Sequence, residues 1–303
     1  MNLGYACINL QLWEQGISCN KGMIRKTFLE KGKAYASELA FANVQAFLNI
    51  LEWNAANGIT LFRMSSDLFP WSSEYRLDSL PHFKEIRTIL EAAGKLPVRV
   101  TTHPGPFNKM AGEGKTLENT IHELETHSLI FDLMGLEPSR RNKINIHIGG
   151  AYGDKQETIK RFARNMNKLS SGLRKRLTVE NDDKPGLFSI AELKPLHEMT
   201  GLPLVFDYFH HQLHPGGLSE EEAFHYAYNT WDELPVFHYS NSRKVYEDPE
   251  CKKEAHSDWL YERVNTYGRP LDIMLETKMK ERSLQRYRIS FDNANIKGAE
   301  APL

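Results

Sequence analysis

A single (β/α)8 TIM barrel is the fold that the sequence predicts, on three observations. Eight short β-rich runs alternate with helix-length stretches along the 303 residues, the rhythm of βαβ units and a parallel sheet. Eight units suit a closed barrel better than an open, doubly wound sheet, and a barrel of about 250 residues is one domain. No GxGxxG or GxxxxGK(S/T) run follows a strand, which removes support for a nucleotide-cradling loop.

The eight runs are residues 2–9, 59–64, 97–102, 143–148, 176–180, 203–207, 235–239 and 271–275. Between the first two, residues 33–57 carry Leu39, Ala42, Ala46, Ile50 and Trp53 at helical spacing. Four further helical stretches, 80–94, 115–135, 155–172 and 187–201, end at Gly94, Gly135, Gly172 and Gly201, a C-terminal signal. Residues 219–231 open on Ser219 with Glu222 three positions on, a capping-box pattern. Residues 1–290 are expected to form the barrel domain and 291–303 a frayed tail.

Composition narrows the function. Hydrophobic residues make up 41% and charged residues 25%, values of an ordered globular protein. No apolar run reaches the roughly 18 residues of a membrane span, so no membrane partner is expected. No secretory signal is visible, and Cys7, Cys19 and Cys251 form no CxxC pair. A reducing cytoplasm is the expected compartment. Net charge is −1, so binding to nucleic acid would need a local basic face or bound cations.

In a barrel, the active site lies at the C-terminal ends of the strands. The third run ends at His103, the fourth carries His147, and the fifth ends at Glu180. The sixth ends at Asp207 with His210 three residues on, the seventh carries His238, and the eighth is followed by Glu276. Any one such residue is ordinarily a satisfied polar group. Six consecutive strands supplying His, Asp or Glu at the same end is a pattern. Imidazole with carboxylate suits Zn2+, Mn2+ or Fe2+, and the lack of thiolates argues against purely structural zinc. Seven donors exceed one ion's needs, so two or three ions sharing bridging carboxylates are expected, as in phosphoester hydrolysis. Glu180 and Glu276 are the candidate bridges.

His82, His122, His127, His197 and His225 lie in helical stretches and read as structural; His211 and His214 are weaker candidates beside His210. Three basic clusters stand out: Arg140, Arg141 and Lys143; Arg174, Lys175 and Arg176; Lys278, Lys280 and Arg282. The first two precede strands and read as solvated faces at the end opposite the site. The third follows Glu276 on the catalytic side, where Lys278 could meet phosphate. Tyr5, Asn9, Phe107, Tyr152, Tyr208 and Phe209 gather on that side too; aromatic loops can stack on bases or wedge a duplex.

Taken in order, several segments resemble the UV damage endonuclease family, over nearly residues 1–290. They include Gly4-Tyr5-Ala6-Cys7-Ile8-Asn9-Leu10, Phe62-Arg63-Met64-Ser65-Ser66, His103-Pro104-Gly105 and His147-Ile148-Gly149-Gly150. They continue with Glu180-Asn181-Asp182-Asp183, Phe206-Asp207-Tyr208-Phe209-His210, His238-Tyr239-Ser240, His256-Ser257-Asp258 and Met274-Leu275-Glu276. The resemblance implies a TIM barrel related to endonuclease IV. It implies DNA repair: cleavage of damaged double-stranded DNA immediately 5′ of UV photoproducts, leaving a 3′-hydroxyl and a 5′-phosphate. It implies two or three divalent ions, Mn2+ foremost, with Mg2+, Co2+ or Zn2+ as alternatives. The implied ligands fall on His103, His147, Glu180, Asp207, His210, His238 and Glu276, with His256 added by its motif. Catalytic roles fall on Glu180, Glu276 and His238. Tyr5 and Asn9 fall at positions close to DNA at the lesion.

Three positions depart from the family pattern. Glu74 stands where a histidine ligand is common, and is expected to serve as a harder metal ligand there. Pro106 and Phe107 stand where Gln-Tyr wedges into the duplex, and Phe107 retains the ability to stack. Val236 replaces a lysine that some members carry and carbamylate. A monomer acting in the cytoplasm, at the nucleoid during repair, is expected. The rival readings are a metal-dependent sugar isomerase or epimerase on the same barrel, and a lesion-binding protein without activity. A plain abasic-site endonuclease lies between.

Overall fold

In a computed structural model, which describes residues 1–105 and 107–292, eight strands alternate with helices. The strands are β1 (Leu3–Ala6), β2 (Leu61–Met64), β3 (Arg99–Thr102), β4 (Ile144–Ile146), β5 (Leu177–Glu180), β6 (Leu204–Val205), β7 (Val236–Tyr239) and β8 (Asp272–Leu275). The helices are α1 (Leu10–Trp13), α2 (Arg25–Ala56), α3 (Phe83–Ala93), α4 (Gly114–Leu133), α5 (Lys155–Asn165) and α6 (Ser171–Arg176). They continue as α7 (Ile190–Thr200), α8 (Tyr208–Leu213), α9 (Glu220–Asn229), α10 (Arg243–Tyr246) and α11 (Lys280–Tyr287).

The strands form one parallel sheet in the order β6-β5-β4-β3-β2-β1-β8-β7. A single parallel bridge, Asp207 with His238, joins the outer edges and closes the barrel. There the amide of His238 donates to the carbonyl of Phe206 at 3.0 Å. Seven of the strands are buried at every position, and β2 at every position except Arg63, which is intermediate. Helices on the outside and side chains within leave such strands no solvated face.

All eight strands lie inside the expected runs but are shorter. The helices differ more. α2 starts at Arg25, not residue 33, and is interrupted at Gly32, whose φ of 64° breaks the helical path. The stretch 155–172 divides: α5 stops at Asn165, a 3-10 turn follows, and Gly172 sits inside α6 rather than ending a helix. Ser189–Glu192 and Ser219–Glu222 both form capping boxes, and Gly201 ends α7 at φ 67°, the left-handed cap that favours glycine. The expected tail falls outside the described residues from 293 onward.

The two internal basic clusters are not simply solvated. Lys143 and Arg176 are almost wholly buried. Arg176 donates to the carbonyl of Leu136 and the hydroxyl of Ser128, and pairs with Asp132 at 2.8 Å. The barrel's lower end is plugged by another buried cation. Arg99, opening β3, pairs with Asp272, opening β8, at 3.0 Å. It also donates to the carbonyls of Arg140, Arg141 and Leu234. One guanidinium therefore ties the entrances of β3, β4, β7 and β8. Removing one partner of a buried pair strands the other charge. Asp272→Ala should cost about 3–5 kcal/mol, read as a lowered urea midpoint by circular dichroism; a loss of under 1 kcal/mol would mean the carbonyls alone satisfy Arg99.

Candidate metal centre

The upper end of the barrel is organised around Glu180, at the end of β5 and 1% exposed. Four imidazoles converge on its carboxylate. His103 Nε2 stands 3.2 Å away, His238 Nδ1 3.0 Å, His210 Nδ1 3.3 Å and His147 Nε2 4.0 Å. The amide of Asn145, from β4, also donates to Oε2. Burial alone would raise the Glu180 carboxyl, but His238 and His147, with the bonds from His103 and His210, hold it well below the usual range.

Glu276, after β8, is held the same way: burial opposes ionisation, and Arg63 and His238 prevail. The Arg63 guanidinium, from β2, donates to Glu276 Oε1, and His238 Nδ1 stands 3.1 Å from the same oxygen. Asp207 is buried and its carboxyl is raised, chiefly by desolvation and also by Glu180 and Glu276. The histidines answer in kind. Burial would lower His210 and His147, yet the acids outweigh it, lifting His210 well above the imidazole range and His147 to about 9. Burial wins at His103 and lowers it.

Two donor sets result, His103–His147–Glu180 and Glu180–Asp207–His238–Glu276, with ligand atoms of each within 4.8 Å of one another. Glu180 is common to both. The residues fit cations on a second observation. Glu180 Oε1, Asp207 Oδ2, His238 Nδ1 and His147 Nδ1 are buried without a well-aligned hydrogen bond, although charged neighbours stand close. Buried polar atoms are normally bonded, and a divalent ion satisfies several lone pairs at once. A cleft of about 280 Å3 beside this cluster is lined by His103, His147, His210, Asn108, Asp182 and Lys184, among others.

His210 and His256 border the two sets. His256 lies after β7, where Ser240 meets its Nδ1 at 2.7 Å, and its ring centre is 6.0 Å from that of His210. Glu74 sits exposed on a 3-10 turn after β2, outside both sets. His211 and His214 are buried behind the site, His214 at 3.5 Å from Glu192.

Two expectations need correction. Tyr5 and Asn9 do not face solvent: Tyr5 packs on Phe62, donates to Asn54 Oδ1 at 2.6 Å and accepts from Asn9 at 2.8 Å. Both are buried, because Tyr5 points outward from β1 toward α2, so neither is presented to a duplex. Phe107 is 85% exposed, and Lys278 is exposed after β8. Pro106 lies outside the described residues. Sequence reasoning passed over Arg63, Asn145, Asp182 and Lys143. The first and third sat in quoted motifs; Lys143 was hidden by its basic neighbours. Its amine lies between the carbonyl of Val236 and Nε2 of His238. Burial pulls that amine well below the usual lysine range, toward the neutral form that accepts as well as donates.

A parallel barrel with imidazoles and carboxylates converging at its C-terminal face is the architecture of a metal-dependent barrel enzyme. The chain belongs to the UV-endonuclease UvdE family, whose profile matches residues 1–300. It is 31% identical over 298 residues to a UV-damage endonuclease of Schizosaccharomyces pombe, covering 93% of this chain but only 49% of that protein. It is 29% identical to a UV DNA damage endonuclease of Bacillus cereus (strain Q1), over 95% of this chain and 93% of the relative. The crystal structure of SacUVDE superposes with a TM-score of 0.81 at 29% identity, covering 97% of this chain and 99% of the other.

Because Glu180 is shared by both donor sets, Glu180→Ala should cost more than one ion. Elemental analysis of protein loaded with Mn2+ should show most bound metal lost, with the far-ultraviolet spectrum retained. Full occupancy in the variant would remove Glu180 as a bridge.

Proposed function

We propose that this chain is a DNA repair endonuclease that hydrolyses the phosphodiester immediately 5′ of UV photoproducts in duplex DNA, leaving a 3′-hydroxyl and a 5′-phosphate. The observation that carries the reading is Glu180 shared between two donor sets at the barrel mouth, in a chain of this family. Residues 1–290 serve as the endonuclease domain, acting as a monomer in the cytoplasm at the nucleoid.

His103, His147 and Glu180 would hold one divalent ion, and Glu180, Asp207, His238 and Glu276 a second. His210 and His256 stand ready to complete the coordination or admit a third. Manganese is the favoured ion, since oxygen and imidazole donors without thiolate suit it. Bound ions supply an activated water and neutralise charge on the attacking and leaving oxygens. The chain does the rest. Arg63 fixes one oxygen of Glu276, so that the other is free to coordinate. Asn145 and its partner Thr178 fix one oxygen of Glu180. Phe107 offers an exposed ring four residues past His103, where it can fill the gap left by an extruded photodimer. A crosslinked pyrimidine pair stacks poorly, so extruding it costs less than extruding normal bases. Lys278, exposed after Glu276, can meet the backbone phosphate, and the ions compensate for the near-neutral net charge.

End-labelled duplexes carrying a pyrimidine dimer, an abasic site or no lesion, incubated with protein and Mn2+, test the reading. A single cut 5′ of the dimer, abolished by chelator, is expected. Equal cutting at the abasic site would make this a general abasic-site enzyme. Glu276→Ala should reduce cutting by well over tenfold.

A base stacked on an aromatic ring contributes about 1–3 kcal/mol. Phe107→Ala should therefore weaken binding to the damaged duplex by roughly tenfold or more. Binding to undamaged duplex at the same salt should barely change, since phosphate contacts dominate there. Equal losses on both duplexes would remove Phe107 as the wedge.

A further inference from the structure

Five histidines stand around the acidic floor, and four are gripped alike. His103 Nδ1 meets the carbonyl of Pro104 at 3.1 Å, and His147 Nδ1 meets Asp182 at 3.1 Å. His210 Nδ1 meets the carbonyl of Asn181 at 2.9 Å, and His256 Nδ1 meets Ser240 Oγ at 2.7 Å. Each contact turns Nδ1 toward a neighbouring oxygen and leaves Nε2 available to an ion, although His147 Nδ1 faces Asp182 without an aligned hydrogen bond and His210 Nδ1 stands also 3.3 Å from Glu180. His238 is turned the other way. Its Nε2 lies 3.1 Å from Nζ of Lys143, while Nδ1 faces Glu180 at 3.0 Å and Glu276 at 3.1 Å.

We infer that Lys143 is a positioning residue for the metal centre, pinning His238 by its Nε2 edge and so committing Nδ1 to the ion shared with Glu180, Asp207 and Glu276. The inference rests on the metal reading above. Lysine is almost never fully buried without a partner, and Lys143 is 1% exposed. It enters from the residue before β4, crosses the barrel interior, and anchors its amine on the carbonyl of Val236 at 3.0 Å. That carbonyl belongs to the strand that carries His238, two residues away, so ring and amine are referenced to one backbone segment. A half-turn of the imidazole about Cβ–Cγ would set Cδ2 where Nδ1 now faces the carboxylates and Cε1 where Nε2 now meets the lysine, withdrawing both nitrogens from their partners. The lysine contact distinguishes the two orientations, and among the described residues Nε2 has no other hydrogen-bond partner. Partners that orient a ligating imidazole typically govern metal affinity by roughly 10–100-fold.

Lys143→Met keeps an unbranched apolar stem that reaches to Cε, with sulfur in place of Cδ, and removes the amine. Titration of metal-free full-length protein with Mn2+ should show one ion weakened by roughly 10–100-fold and the other little changed. The loss should vanish in a His238→Ala background, where there is no ring to position. In wild-type protein loaded with Zn2+, 15N spectra of labelled histidine should show one ring, assigned by its absence from His238→Ala, bound through Nδ1. Unchanged Mn2+ affinity in Lys143→Met overturns the inference, as does an equal further loss in the His238→Ala background, which marks a purely structural lysine. If Lys143→Met does not fold, the wild-type spectrum decides, and coordination of His238 through Nε2 overturns it. Wild-type protein that binds no ion at all would instead defeat the metal reading itself.

Discussion

One carboxylate with no route to water sets the terms for the upper half of this barrel. Glu180 is buried, its neighbours favour the ionised form, and an isolated buried charge of that kind is not sustainable. Everything that converges on it supplies hydrogen bonds or positive charge: imidazoles from three other strand ends and α8, and an amide from β4. Two more carboxylates, Asp207 and Glu276, are packed into the same space. The acids raise His147 and His210, and the protons favoured there would offset part of that acidity. They occupy the role that cations fill more completely, which explains why pairs of nitrogen and oxygen stand near 3 Å without aligned hydrogen bonds.

The lower half solves the opposite problem. Arg99 brings a buried cation to the barrel floor and satisfies it with Asp272 and three carbonyls. The division matches the general one for such barrels, with chemistry at the C-terminal face and stability at the N-terminal face. Between them, Lys143 and Arg63 project into the interior from the β-sheet and touch the ligand set from below and from the side.

Much of this was legible in the sequence, for identifiable reasons. Strand-and-helix alternation revealed the barrel, because each unit repeats the same hydrophobic switch. Once the topology is a barrel, every strand end becomes a position on one face, so His103, Glu180 and Asp207 could be grouped before any contact was known. His256 escaped that logic, since it lies in a long excursion after β7 and only its local motif marked it. Lys143 and Arg176 escaped for another reason: a basic run looks solvated, and which member turns inward depends on partners more than 30 residues away. Tyr5 misled through the two-residue period of a strand, since a side chain on β1 serves either the barrel interior or α2, and its partner Asn54 lies 49 residues on. The loop bearing Phe107 is braced by features that no local pattern reveals. Asn108 bonds Gly105 and Glu123, and a Cβ on Gly149 would come within 2.6 Å of the Asn108 carbonyl.

The barrel's seam does not lie where the chain begins and ends. β1 and β8 are joined by a regular ladder, whereas β6, two residues long, meets β7 through one bridge between Asp207 and His238. One of the two single-pair stitches in the wall, the other being Thr102 with Ile144 between β3 and β4, is thus made by two of the residues that face the acidic floor. Opening of a protein begins where hydrogen bonds are few, so thermal breathing at this seam would part the donor set. Catalytic competence and wall integrity share one fastening, and an ion held across it would act as a rivet.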